Sequence, residues 1–159
     1  MAHRGVACLG DDSVKHPDNL QSTLHHIPIR NLPMTFKTYL VEDNDVIREN
    51  LVGFLEDVAD ATVVAHASGE AEAVTWLHDH ADSWDMAIVD LFLEQGNGLG
   101  VVSACRCRAP HQKVVVLSNY ATADMRARTK ALGADAFFDK SVELDLLLDY
   151  CEKISRQND

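Results

Sequence analysis

Short apolar runs alternating with amphipathic stretches constrain this chain more than any other feature. YLV runs into Glu42, MAIV into Asp90, VVVL into Ser118, and AFFD into Lys140. A further β-prone run, TVVAHA, covers 62–67. Runs this short and this apolar predict strands buried on both faces. Between the first two, Ile47, Leu51, Phe54, Leu55 and Val58 recur at helical spacing. Ala73, Val74 and Leu77 do the same in 69–80. A third helix is predicted over 99–108, after the Gly-rich segment 96–98, with Pro110 as its stop. A fourth runs from 123 to near Gly133, and a last one carries Leu144, Leu147, Leu148, Cys151 and Ile154.

Strand and helix therefore alternate from Phe36 onward, with strands expected near 37–42, 62–67, up to 90, 113–117 and 134–138. Such a (βα)5 order demands a parallel sheet covered by helices on both faces. Right-handed crossovers favour a doubly wound, flavodoxin-like strand order, 2-1-3-4-5. In that order the first and third strands are neighbours at the point where the winding reverses. Ligands bind there, outside the carboxyl ends of the strands.

Residues 1–35 have a different character. They hold Pro17, Pro28 and Pro33 and four of the eight histidines, with no sustained period. They are expected to be a flexible leader, and Met34 is an expected native start. Their three basic and three acidic residues cancel, so the net charge of −11 belongs to 36–159. A domain this acidic is a poor match for nucleic-acid phosphates or an anionic membrane. No stretch has the length and apolarity of a membrane span or the apolar core of a secretory signal. The spacing of Cys8, Cys105, Cys107 and Cys151 fits no disulfide framework or zinc site, which predicts reduced thiols and a cytoplasmic protein.

Glu42, Asp43, Asp90, Ser118 and Lys140 all fall at the carboxyl ends of predicted strands. Clustered carboxylates repel one another unless a cation lies among them. An all-oxygen donor set suits Mg²⁺ or Mn²⁺ rather than zinc. Mg²⁺ commonly bridges protein carboxylates and phosphate oxygens, and a carboxylate can itself attack phosphorus. A lysine and a hydroxyl at the same edge would neutralise and hold the phosphoryl oxygens.

These residues, in the segments YLVEDN, IVDLFL, VLSN and FFDKS, give 36–159 a clear resemblance to response regulator receiver domains. The resemblance implies Asp90 as phosphoacceptor and Ser118 and Lys140 as holders of the phosphoryl group. It implies Asp43 as a direct metal ligand, Glu42 acting through water, and the Phe92 backbone carbonyl completing the site. Phe137 takes the place of the family's aromatic switch residue, paired with Ser118. The helix 4–strand 5–helix 5 face is the usual output surface, which nominates the basic run Arg126, Arg128 and Lys130. Three departures stand out. Glu94 and Ser141 replace the family's usual prolines, and Asn119 replaces a small residue beside the phosphoryl site, which predicts slower phosphoryl exchange.

The expected function is a stand-alone receiver that takes a phosphoryl group from a sensor histidine kinase. It would signal by contact with a downstream protein target or a histidine phosphotransfer protein, and it would not turn over a separate substrate. A phosphorylation-independent adaptor is the alternative. A phosphohydrolase using Asp43-Asn44-Asp45 is a third reading, disfavoured because a cap domain is missing. His78 and His80, and likewise His25 and His26, lack the further ligands a metal site needs.

Overall fold

A computed structural model describes residues 36–59 and 61–157. The expectations for the leader and for Met34 lie outside the described residues. The elements in chain order are β1 (Phe36–Val41), α1 (Asp45–Val58), β2 (Ala61–Ala67), α2 (Glu70–Asp79) and β3 (Met86–Val89). They continue with α3 (Gly98–Ala104), β4 (Lys113–Ser118), α4 (Ala123–Ala131), β5 (Ala136–Asp139) and α5 (Leu144–Gln157). All strand pairs are parallel and the order is β2-β1-β3-β4-β5, the predicted doubly wound sheet.

Strand side chains alternate between the two faces, and the core divides accordingly. Tyr39, Val41, Ala87, Val89, Val114 and Val116 pack toward Ala73 and Leu77 of α2 and Val101 and Val102 of α3. Leu40, Met86, Ile88, Val115 and Leu117 pack toward Leu51 and Leu55 of α1 and Leu147, Cys151 and Ile154 of α5. Every residue of β3 is buried, which is why MAIV reads as a continuous apolar run and not as an alternation. Each fully buried Leu or Ile contributes about 1.5–3 kcal/mol relative to exposure.

Side-chain caps start three of the helices. Asn44 Oδ1 accepts from Ile47 N at 3.0 Å, Asn97 Oδ1 from Leu99 N at 2.8 Å, and Thr122 Oγ1 from Met125 N at 3.1 Å. Each cap satisfies a first-turn N–H that has no partner inside its helix. The Gly-rich segment has two separate reasons for its glycines. Gly96 has φ +85, a conformation that disfavours side chains. At Gly98 an added Cβ would lie 2.1 Å from the Asp90 carbonyl oxygen, so this close approach is open to glycine alone.

Most element ends fall within a residue or so of expectation, and two boundaries differ for a visible reason. α3 ends at Ala104, not near 108, because residues beyond it turn tightly. There Arg106 N donates to Ser103 O and Arg108 N to Cys105 O. β5 begins at Ala136, not at 134, because the Asp135 carboxylate accepts from Val114 N at 2.8 Å and from Arg108. The expectation of wholly reduced thiols holds for Cys105 and Cys151, which are free and buried.

Candidate functional site

The sheet order brings the ends of β1, β3, β4 and β5 to one edge. Glu42 follows β1, and its N–H donates to Ala67 O at 3.0 Å. Asp90 follows β3, its N–H bonded to Val41 O at 3.0 Å. Lys140 follows β5 and donates its backbone N–H to Ser118 O at 3.0 Å. Backbone bonds between neighbouring strands thus set the positions of all four side chains.

Lys140 Nζ lies 2.5 Å from Glu42 Oε2 and 2.9 Å from Asp90 Oδ2. These three side chains are 9%, 2% and 11% exposed, so solvent screens the pairs weakly. The other Asp90 oxygen, Oδ1, accepts from Phe92 N at 3.1 Å. Asp43 Oδ2 accepts from Glu94 N at 2.9 Å. Burial raises the pKa of Glu42, and the charge of Asp90 adds to that, while its bond to Lys140 opposes it. Burial works against the charge of Lys140, but its bonds to Glu42 and Asp90 outweigh this and raise its pKa.

Carboxylate oxygens of Glu42, Asp43 and Asp90 lie within 4.8 Å of one another. Three carboxylates facing one ammonium leave a net negative charge, and every donor is a hard oxygen. The set fits a small divalent cation such as Mg²⁺ or Mn²⁺. The pocket at this edge has a volume of about 200 Å³ and is lined by Asp43, Asp90, Lys140 and Asn119, with Phe92 and Tyr120 at one side.

The other expected site residues are placed as follows. Ser118 is buried at the end of β4, and its Oγ accepts from Tyr120 N at 3.1 Å. Phe137 sits in β5 opposite Val116 and packs, half-buried, on the α2–α3 side of the sheet. Arg128 and Lys130 are exposed on α4. Arg126 separates from them. It turns toward β5, bonding Phe137 O at 3.2 Å and Glu143 Oε1 at 2.6 Å.

Several contacts had no signal in the sequence. Glu42, expected beside a metal, also bonds Lys140 directly. The ring of Phe92, a residue singled out for its carbonyl, pairs with Tyr120 at 4.4 Å between centroids. Arg108 donates to the carbonyls of Gln112, Cys105 and Gly133 and to Asp135, tying two loops at the opposite edge of the sheet. Periodicity and motif spacing report on elements, and the contacts of Glu42 with Lys140, of Phe92 with Tyr120, and of Arg108 with Gly133 and Asp135 join loops or strand ends far apart in the chain.

Residues 39–152 match the response regulator receiver domain, and the chain belongs to that family. Among curated relatives, the response regulator protein VraR of Staphylococcus aureus is 24% identical over 123 residues, 77% of this chain and 58% of that protein. The DNA-binding transcriptional activator DevR/DosR of Mycobacterium tuberculosis is 28% identical over 107 residues, 67% of this chain and 48% of that protein. The chain therefore spans about half the length of these relatives. A LuxR-family two-component response regulator from Aurantimonas sp. SI85-9A1 shares the fold, with TM-score 0.67 and 22% identity over 76% of this chain and 84% of that one.

Proposed function

We propose that this chain is a phosphoacceptor receiver in which Asp90 takes a phosphoryl group from a phosphohistidine of a sensor kinase. The observation that carries the reading is the ion-paired cluster of Glu42, Asp90 and Lys140 beside Asp43 at one sheet edge. A carboxylate oxygen of Asp90 attacks phosphorus. The P–O bond forms as the P–N bond to the histidine breaks, and the histidine nitrogen keeps the electron pair. Asp43, Glu42, Asp90 and the Phe92 carbonyl would hold Mg²⁺, whose charge would neutralise phosphoryl oxygens during transfer. Lys140 exchanges its carboxylate partners for a phosphoryl oxygen, and the Ser118 hydroxyl donates to another. Water then hydrolyses the acyl phosphate. The chain catalyses its own phosphorylation and dephosphorylation, and turns over no separate substrate.

Phosphorylation favours one of two conformations, with Ser118 drawn inward and Phe137 following. Output is by protein contact, either with a target or with a histidine phosphotransfer protein. The exposed Arg128 and Lys130 on α4 support that face as the docking surface. The net charge of −11 supports a receiver that does not itself contact nucleic acid. None of the described helices is long and apolar enough to cross a membrane, which supports a cytoplasmic site of action. The adaptor reading draws on Asn119, which lines the pocket where the family usually has a small residue.

Intact mass after incubation with Mg²⁺ and acetyl phosphate tests this. One phosphoryl group on wild type, none on Asp90→Asn and none with chelator is the expected result. No gain even with a phosphorylated histidine kinase as donor would favour the adaptor.

A further inference from the structure

α4 is the helix least anchored by apolar burial. Thr129 is its one buried residue, and Met125 is only partly covered. An element with so few buried apolar contacts is a natural low-stability segment. Its best-defined attachment to the sheet is polar and runs through Arg126. The guanidinium lies 5.0 Å from the centroid of the Phe137 ring. Its Nη1 donates to the Phe137 carbonyl at 3.2 Å, and its Nη2 to Glu143 Oε1 at 2.6 Å. Glu143 stands just before α5, where its carbonyl accepts from Leu147 N at 3.1 Å. One side chain from α4 therefore grips both ends of a single residue of β5 and is braced from the start of α5.

We propose that Arg126 and Glu143 form a latch that holds Phe137, and with it α4, in the unphosphorylated arrangement. This rests on the reading of Asp90 as phosphoacceptor and of Phe137 as the switch, and it names the residues that set the switch's resting position. The physical argument is geometric. The Phe137 ring cannot rotate away without leaving the face of the guanidinium. α4 cannot move along β5 without breaking the bond to the Phe137 carbonyl. Glu143 keeps the guanidinium from following either motion, because a charge-assisted bond with a partly shielded carboxylate fixes its position. Arg126 is a positioning residue in this scheme and touches no reacting atom. Breaking the latch removes stabilisation from the resting state alone, so the activated population rises.

The test is the affinity for beryllofluoride with Mg²⁺, followed by ¹⁹F NMR, for the full chain. Wild type, Glu143→Gln, Arg126→Gln and the double variant are compared, with Asp90→Asn as the blank. Both single variants are expected to bind about three- to tenfold more tightly than wild type, and the double variant no more tightly than the better single. In wild type, the Arg126 side-chain protons should also show ring-current shifts that vanish at saturating beryllofluoride. That readout does not require any variant to fold. Equal affinity in wild type and Glu143→Gln, or Arg126 shifts untouched by beryllofluoride, would overturn the latch and leave the phosphoacceptor reading intact. No difference between wild type and Asp90→Asn would overturn that reading, and the latch with it.

Discussion

Replacing Lys140 with Met removes the ammonium that faces Glu42 at 2.5 Å and Asp90 at 2.9 Å. Methionine keeps much of the volume, so the loss is electrostatic rather than a cavity. Breaking a buried ion pair typically costs about 3–5 kcal/mol, because the abandoned charge stays buried. Protonation limits that cost. Holding one carboxyl of ordinary pKa ~4.3 neutral at pH 7 costs about 3.7 kcal/mol, at 1.36 kcal/mol per pH unit. The variant is therefore expected to lose about 3–4 kcal/mol at pH 7 in chelator, and about 1 kcal/mol at pH 5. The sign follows from linkage. Burial already raises the pKa of Glu42, and losing Lys140 raises it further. A group whose folded pKa is raised contributes stability at low pH and loses it as pH rises through that pKa. Mg²⁺ should restore part of the loss by binding the folded state. Urea melts at pH 5 and pH 7, with Mg²⁺ or chelator, measure all of this. A Lys140→Met protein as stable as wild type at pH 7 in chelator, or one whose deficit is the same at both pH values, would refute the electrostatic account.

Other changes probe the framework around the site. Arg108→Ala should cost about 3 kcal/mol in urea melts, since the four bonds of a side chain 12% exposed are lost together. It should leave Mg²⁺-dependent phosphorylation of the folded protein unchanged, because these loops lie at the sheet edge opposite Asp90; altered phosphorylation would contradict that separation. Gly98→Ala should destabilise by about 3 kcal/mol or more, because the new methyl group meets the Asp90 carbonyl at 2.1 Å. A normal melting temperature for it would show that the close approach relaxes at little cost. Asn119→Ala, which trims a residue lining the pocket, should raise both phosphorylation and dephosphorylation rates roughly threefold or more, or ~0.7 kcal/mol of barrier. Unchanged rates in a phosphate-release assay would clear Asn119 of any role in access.

The alternation of apolar runs with helical stripes determined the class of fold and the strand order. A strand buried on both faces must be apolar throughout, as in MAIV, and parallel neighbours must be joined by helices. The same logic placed Glu42, Asp90, Ser118 and Lys140 at one edge, because each directly ends its run. Element boundaries were legible to within a residue at the starts of α3 and α4, expected at 99 and 123 and found at Gly98 and Ala123. They were not legible at the end of α3 or the start of β5. There Arg108 and Asp135, 27 residues apart, settle the backbone through bonds to distant loops.

Long-range polar geometry belonged to the tertiary structure alone. Arg126 reads in the sequence as one of three outward basic residues, yet its partners lie 11 and 17 residues away on another strand and before another helix. Glu42 reads as a metal carboxylate, and the pairing of β1 with β3, β3 with β4 and β4 with β5 also brings it to a lysine 98 residues on, which its place in the sequence did not announce. Hydrophobic periodicity records which side of an element faces the core, since burial of apolar surface is non-directional and local to the element. Ion pairs and hydrogen bonds depend on distance and angle between groups, and folding sets those only once strands from across the chain lie side by side.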